Sequence, residues 1–277
     1  MKDIATVSRT NEILDKYNLK AKKKFGQNFL IDANTVEKIA KNACDKDHIT
    51  IEIGPGIGSL TQKLAKYSKE VISYEIDSSL IPVLKETLGD LDNVTVIEED
   101  FLNTDLGKAS YHDEEIVVAA NLPYYITTPI LFKLFESDLK IKCISVMVQK
   151  EVADRFKASV NSKDYNALSV IVQHSYDVNI LMNISKNVFN PKPNVDSAVI
   201  VFKPKTKKYV KDEKEFYEMV KMAFTQRRKT LFNNLKEHFD NEKIKKMYET
   251  LGLKDSIRAQ EIDLDTFIKI YEVLYED

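Results

Sequence analysis

The sequence predicts an α/β fold, a mostly parallel seven-stranded sheet followed by a small all-helical C-terminal domain. Three observations carry that prediction. From His48 onward, short β-rich runs alternate with stretches whose apolar residues recur at three- and four-residue steps. Alternation of this kind implies a parallel sheet with helices on both faces. Three of the chain's seven glycines fall in one window, Gly54-Pro55-Gly56-Ile57-Gly58, between a predicted strand and a predicted helix. After Pro204 there is no further proline, and the pattern reads helical to the end.

Residues 1–47 read as helices with a basic insert, in which Lys16, Lys20, Lys22, Lys23 and Lys24 crowd ahead of Phe25-Gly26-Gln27-Asn28-Phe29-Leu30. Five strands are expected at Ile49–Ile53, Val71–Tyr74, Val94–Ile97, Ile116–Ala120 and Ile141–Val148. Helices are expected at Leu60–Lys66, Ile81–Leu88 and Pro129–Phe135. Two more β-like runs, Val178–Ile184 and Ala198–Phe202, are joined through an Asn-Pro-Lys-Pro-Asn connection. They read as a hairpin closing the sheet edge. The expected division is residues 1–207 for the sheet domain with its basic N-terminal arm (about 1–47), and 208–277 for the helical domain.

Composition narrows the function classes. At 43% apolar and 30% charged the chain can bury a sizeable core, and a net charge of −2 makes it neither polyanion nor polycation. Cys44 and Cys143 are too few for a disulfide framework or a zinc finger, and both read as small core residues of a cytoplasmic protein. The four histidines show no metal-ligand spacing, so no metal is expected. The N-terminus is polar and no apolar run approaches the ~18 residues of a membrane span, so neither secretion nor a membrane partner is expected.

Glycines at a strand-to-helix turn allow a tight bend and let backbone N–H groups approach a ligand closely. Glu75 ends the second predicted strand, 21 residues after Gly54, where a carboxylate can accept from both ribose hydroxyls of a nucleoside. Asp100 follows the third strand and is placed to accept from an adenine amino group. Together they predict a nucleoside site at the carboxyl edge of the sheet. The G-x-G-x-G spacing, with Glu52 two residues ahead, resembles the first motif of the Rossmann-like class I S-adenosylmethionine methyltransferases. Spacing alone leaves a nicotinamide dehydrogenase open.

The fourth strand decides between them. It ends in Asn121-Leu122-Pro123-Tyr124, which resembles the [DNS]-[PIL]-P-[YF] motif of enzymes that methylate exocyclic amino groups of bases. Adenine N6 is a poor nucleophile because its lone pair is delocalised into the ring. The Asn121 side-chain oxygen and the Leu122 carbonyl can hold its two hydrogens and expose that lone pair. Pro123 stiffens the turn, and Tyr124 offers a stacking face. No strong base is required, because N6 acidifies as the methyl arrives. Phe189 is a candidate for the base's other face.

Assembled, these residues resemble the ribosomal RNA adenine N6,N6-dimethyltransferases over nearly the whole chain, and among them the bacterial branch acting on small-subunit (16S) rRNA. Lys24–Leu30, Glu52–Thr61, Asn121–Tyr124, Phe189–Ser197 and Ala223–Leu231 carry the resemblance. It implies S-adenosyl-L-methionine as cofactor, held by Asn28, Leu30, Gly54, Gly56, Glu75, Asp100 and Asn121. It implies catalysis by Asn121, Leu122, Tyr124 and Phe189 on two adjacent adenines near the rRNA 3′ end, in an assembling 30S particle. A cytoplasmic monomer with no DNA partner is expected. Residues 203–229 carry ten basic residues against four acidic, a local net of +6. Lys22, Lys23, Lys24, Arg227, Arg228 and Lys229 are therefore the candidate RNA contacts. Two alternatives stay open: a ribosome-assembly factor whose binding matters more than methylation, and a related large-subunit rRNA methyltransferase.

Overall fold

Short runs of β-branched and aliphatic residues form the strands, and capped amphipathic stretches form the helices between them. The structure, a computed structural model, describes residues 2–19, 26–206 and 209–276; the Lys22–Lys24 cluster lies outside them. The elements run α1 (Val7–Lys16), β1 (Phe29–Leu30), α2 (Ala33–Ala43), β2 (Ile49–Ile53), α3 (Ser59–Tyr67), β3 (Glu70–Glu75), α4 (Ile81–Leu88), β4 (Val94–Glu98), β5 (Glu115–Asn121), α5 (Thr127–Phe135) and β6 (Lys140–Gln149). They continue through α6 (Lys150–Phe156), α7 (Ala167–Ser175), β7 (Tyr176–Ile184), β8 (Phe189–Asn190), β9 (Ser197–Pro204), α8 (Glu213–Ala223), α9 (Leu231–Leu235), α10 (Asn241–Leu251) and α11 (Leu264–Tyr271).

Seven strands pair in the order β4-β3-β2-β5-β6-β9-β7. Those from β4 to β6 are mutually parallel, and β9 runs antiparallel to β6. All five residues of β2 are buried, as an inner parallel strand covered on both faces requires. On one face, Val36 and Ile39 of α2 and Leu60 and Leu64 of α3 pack over Val71, Ala119, Met147 and Val199. On the other, Phe135 of α5 meets the Phe202 ring edge-on at 5.6 Å. A third cluster joins Ile13 of α1 to Ile57 and to Val83, Leu84 and Leu88 of α4. Each such side chain, fully buried, contributes about 1.5–3 kcal/mol.

Strand register sets where the site forms. Ile53 pairs with Tyr74 on one side and Ala120 on the other, and Glu75 pairs with Glu98. Gly54, Glu75 and Asn121 therefore leave their strands at one level of the carboxyl edge. The N-terminal arm reaches the same edge, because β1 pairs antiparallel with β8, Leu30 opposite Phe189 and Phe29 opposite Asn190. Asp32 then caps α2 by accepting from the Thr35 N–H at 2.6 Å.

The chain divides into two compact units, Met1–Ala153 with Asn179–Lys203, and Asp154–Val178 with Pro204–Asp277. The second unit thus takes in α7 as well as α8–α11. Within it the buried Tyr165 hydroxyl donates to the Ile262 carbonyl at 2.9 Å, and His174 stacks on Phe216 with ring centroids 4.6 Å apart.

Candidate active site

Gly54, Gly56 and Gly58 all take positive φ, +71°, +63° and +91°. Over Gly54 a Cβ would meet nothing within 4 Å, so the backbone faces open space that a ligand can approach. At Gly56 a Cβ would stand 3.3 Å from the Phe29 ring. A side chain there would crowd that ring by a few tenths of an ångström and strain the backbone, so glycine lets the arm's aromatic ring sit close against the loop. The turn is closed by the Gly54 N–H donating to the Tyr74 carbonyl at 2.9 Å and the Gly58 N–H donating to that of Pro55 at 3.0 Å.

The Glu75 carboxylate is only 4% exposed. One oxygen accepts from the Gly56 N–H at 3.1 Å and the other from the Asp77 N–H at 2.8 Å. These bonds fix its plane beside the glycine turn and leave lone pairs for a ligand. Burial raises its pKa, and the two backbone donors oppose that shift. Behind it, burial pushes the 1%-exposed Glu52 up to about 7. Ser73 donates to one of its oxygens at 2.7 Å, while neither Oε1 nor the nearby Thr61 hydroxyl completes a hydrogen bond among the described residues.

Asp100 is held by the Leu102 N–H at 3.0 Å and the Asn103 amide at 3.2 Å. The next residue, Phe101, packs edge-on against Tyr74 at 5.4 Å. Lys133 of α5 binds the carbonyls of Leu102 and Thr104, at 2.8 and 2.5 Å, and ties the Asp100 loop to the helix after the tetrapeptide.

Asn121 shows its chemistry through its partner. Its Nδ2 donates to the Asn28 carbonyl at 3.2 Å. A carbonyl can accept only from the NH₂ group, so this bond sets which way the amide of this cleft-lining residue faces. Leu122 is 1% exposed and anchors the turn. The half-buried Tyr124 shares a hydrogen bond with the Ser197 hydroxyl at 2.9 Å, and burial raises its pKa. Phe189, 4% exposed, packs in the core beside Leu30.

One cleft is lined by Asn28, Leu30, Gly54, Gly56, Glu75, Asp100, Asn121, Leu122, Tyr124 and Phe189, all the cofactor and catalytic candidates from the sequence. It is also lined by residues that sequence reasoning missed, chiefly Gln27, Ile76, Phe101 and Tyr125. A signal existed for two of them, since Ile76 and Phe101 directly follow the strand-end acids. Tyr125 is 59% exposed at the rim, against Gly26. Gln27 lies inside the Lys24–Leu30 motif, but nothing local marks its partner: its Nε2 donates to Asp77 Oδ2, fifty residues away, at 2.9 Å.

The cationic candidates Arg227, Arg228 and Lys229 lie in the second unit. Arg227 is bonded within that unit. It donates to the Gln260 side chain at 2.8 Å and to the carbonyls of Lys163 and Ser162 at 2.5 and 3.3 Å. Arg228 is exposed and Lys229 half-buried.

A family model described as ribosomal RNA adenine dimethylase matches residues 18–276. The chain belongs to that family. Relatives named ribosomal RNA small subunit methyltransferase A include one from Staphylococcus haemolyticus, 45% identical over 98% of this chain and 96% of its own. Another, from Bacillus licheniformis, is 46% identical over 99% and 98%. Among solved structures, a dimethyladenosine transferase from Plasmodium falciparum is 29% identical with a TM-score of 0.73, covering 87% of this chain and 95% of that one. The 23S rRNA methyltransferase ErmE is 25% identical with a TM-score of 0.65, covering 89% and 99%.

As a member of the ribosomal RNA adenine dimethylase family, the protein is an S-adenosylmethionine-dependent enzyme that methylates adenines of rRNA. The cleft fits that cofactor on its own chemistry. The backbone at Gly54 is open to a close approach, and Glu75 presents a pre-oriented acceptor at the right strand end for vicinal hydroxyls. When bound, S-adenosylmethionine supplies an electrophilic methyl group.

Proposed function

We propose that the protein dimethylates N6 of two adjacent adenines near the 3′ end of small-subunit rRNA, within an assembling 30S particle. It works in the cytoplasm as a monomer. The small-subunit assignment is supported by the names of relatives about 45% identical over nearly the whole chain. No helix among the described residues is long and apolar enough to cross a membrane.

The observation that carries the chemistry is the Asn121 amide, whose NH₂ is turned onto the Asn28 carbonyl so that its acceptor oxygen is left for a substrate amine. In this reading Oδ1 and the Leu122 carbonyl accept the two N6 hydrogens and hold the nitrogen with its lone pair exposed. Tyr124 stacks on the base, with its hydroxyl steadied by Ser197, and Phe189 closes the opposite face. Gly54, Gly56, Glu75, Asp100, Asn28 and Leu30 hold the cofactor. Positioning in a partly dry cleft supplies most of the rate. A base paired in a helix cannot reach such a cleft, so the adenines are presented from a loop or flipped out.

The helical residues from 208 onward serve rRNA contact. Arg227 is already bonded to Gln260, Lys163 and Ser162, so phosphate contact in that turn falls to Arg228 and Lys229. Lys22, Lys23 and Lys24 are proposed to add a second basic contact. Incubation with labelled methyl donor and, separately, unmethylated small subunits, large subunits and duplex DNA tests the substrate. Dimethyladenosine from small subunits alone is expected, and label in either other substrate at a comparable rate overturns the assignment.

A further inference from the structure

Hydrogen bonds run around the cleft from the cofactor carboxylate to the catalytic amide, and Gln27 is the link that joins them. Glu75 accepts from the Gly56 and Asp77 backbone N–H groups. The Asp77 carboxylate, 3% exposed, accepts through Oδ1 from the Ser79 N–H and hydroxyl, at 3.1 and 2.7 Å. Its Oδ2 accepts from Gln27 Nε2 at 2.9 Å. The residue after Gln27 offers its carbonyl to Asn121 Nδ2, and its own amide donates back to the Gly26 carbonyl at 3.0 Å. Gly26 takes φ +59°, the local bend on which this arm segment turns.

An asparagine amide is nearly symmetric in shape, and only its hydrogen-bond partners decide whether oxygen or nitrogen faces a substrate. If the Asn28 carbonyl moves away, the bond that orients the amide is lost and its NH₂ can turn toward the substrate amine, donor against donor. The arm carrying that carbonyl is held at one end by the two-residue pairing of β1 with β8. At the other it is held by Gln27 on Asp77. Glu75 keeps both of its own backbone donors whether or not Gln27 is present.

We propose that Gln27 is a positioning residue: its bond to Asp77 seats the Asn28 carbonyl and thereby sets the orientation of the Asn121 amide. The inference rests on the reading of Asn121 as the acceptor for N6. It assigns the arm a part in the chemical step beyond its part in holding the cofactor.

The test compares Gln27→Ala, Asp77→Asn and the exchange Gln27→Glu with Asp77→Asn, which restores one hydrogen bond with donor and acceptor reversed. Gln27→Ala is expected to lower kcat on rRNA tenfold or more and, because Asn28 also serves the cofactor, to weaken S-adenosylmethionine affinity by calorimetry by a clearly smaller factor. It should also shift the Asn121 side-chain amide resonance in ¹⁵N-labelled, cofactor-free protein, assigned by its loss in Asn121→Ala. The exchange is expected to return kcat to within about threefold of the parent. Unchanged kcat and resonance in Gln27→Ala would overturn the proposal. So would a loss of cofactor affinity as large as the loss of rate, or an exchange no better than its worse single variant. An Asn121→Ala variant that methylates at a rate within about tenfold of the parent would instead sink the underlying reading of Asn121, whatever Gln27 does.

Discussion

Replacing Glu75 with alanine isolates the cofactor side of the site. Two hydrogen bonds from ribose hydroxyls to a charged acceptor contribute about 1.5–3 kcal/mol each. The carboxylate is 4% exposed, so solvent screening takes little from that figure. Losing both is expected to cost ~3 kcal/mol or more, a roughly hundredfold weaker affinity. The same change leaves the Gly56 and Asp77 N–H groups without their acceptor, which costs about 1–3 kcal/mol each in stability. The melting temperature should therefore fall, and binding has to be measured well below it. Glu75→Gln sharpens the result. Its oxygen serves one N–H while its NH₂ faces the other donor, so affinity drops despite an unchanged shape. Calorimetric titration with S-adenosylmethionine, beside a circular-dichroism check of folding, reads both. A folded Glu75→Ala variant binding within threefold of the parent would refute the assignment of Glu75 to the ribose.

Five further outcomes are expected. Asn121→Ala should lower kcat by roughly 10²–10³, measured in single turnover with saturating cofactor. Tyr124→Ala should raise KM for rRNA by the ~1–3 kcal/mol of a lost stacking platform, whereas Tyr124→Phe loses only the Ser197 bond and should stay close to the parent. Glu52 holds a proton in the folded chain up to about pH 7, against 4.5 for its ordinary value. The folded state thus binds more protons than the unfolded across that window, and the group's contribution to stability declines by ~3 kcal/mol as pH rises through it. Glu52→Gln removes the dependence, so its melting temperature relative to the parent should climb between pH 5 and pH 8, and a pH-independent difference would contradict this. Arg228→Ala with Lys229→Ala should flatten the salt dependence of rRNA binding by about one unit of slope per lost phosphate contact. Arg227→Ala should instead lower the melting temperature of the second unit.

Much of the first unit is legible in sequence because its signals are local. Strands β2 to β6 are compact aliphatic runs, and the glycine window and both acids fall where such strands end. What is not legible depends on residues far apart in the chain. The β1–β8 pairing joins Phe29 to Asn190 and Leu30 to Phe189, far along the chain, with only two residues in each strand. The Gln27–Asp77 bond has no periodicity to betray it. Helix α7, Ala-Leu-Ser-Val-Ile-Val-Gln-His-Ser, is apolar enough on all sides to pass for a strand. What makes it a helix is the capping box at Asn166, whose side chain accepts from the Leu168 and Ser169 N–H groups. That residues 154–178 pack with the C-terminal helices is visible only through contacts such as Tyr165 to Ile262 and Arg227 to Lys163.

The proposed role of the Asn121 cleft is to place methyl groups on N6 of adjacent adenines in small-subunit rRNA. It is tested most directly by treating unmethylated small subunits with the protein and mapping the product by primer extension and nucleoside mass analysis. N6,N6-dimethyladenosine is expected at two neighbouring positions near the 3′ end, and at most a trace in the same time when Asn121→Ala replaces the parent. Modification elsewhere in the rRNA, or full dimethylation by Asn121→Ala, would contradict it.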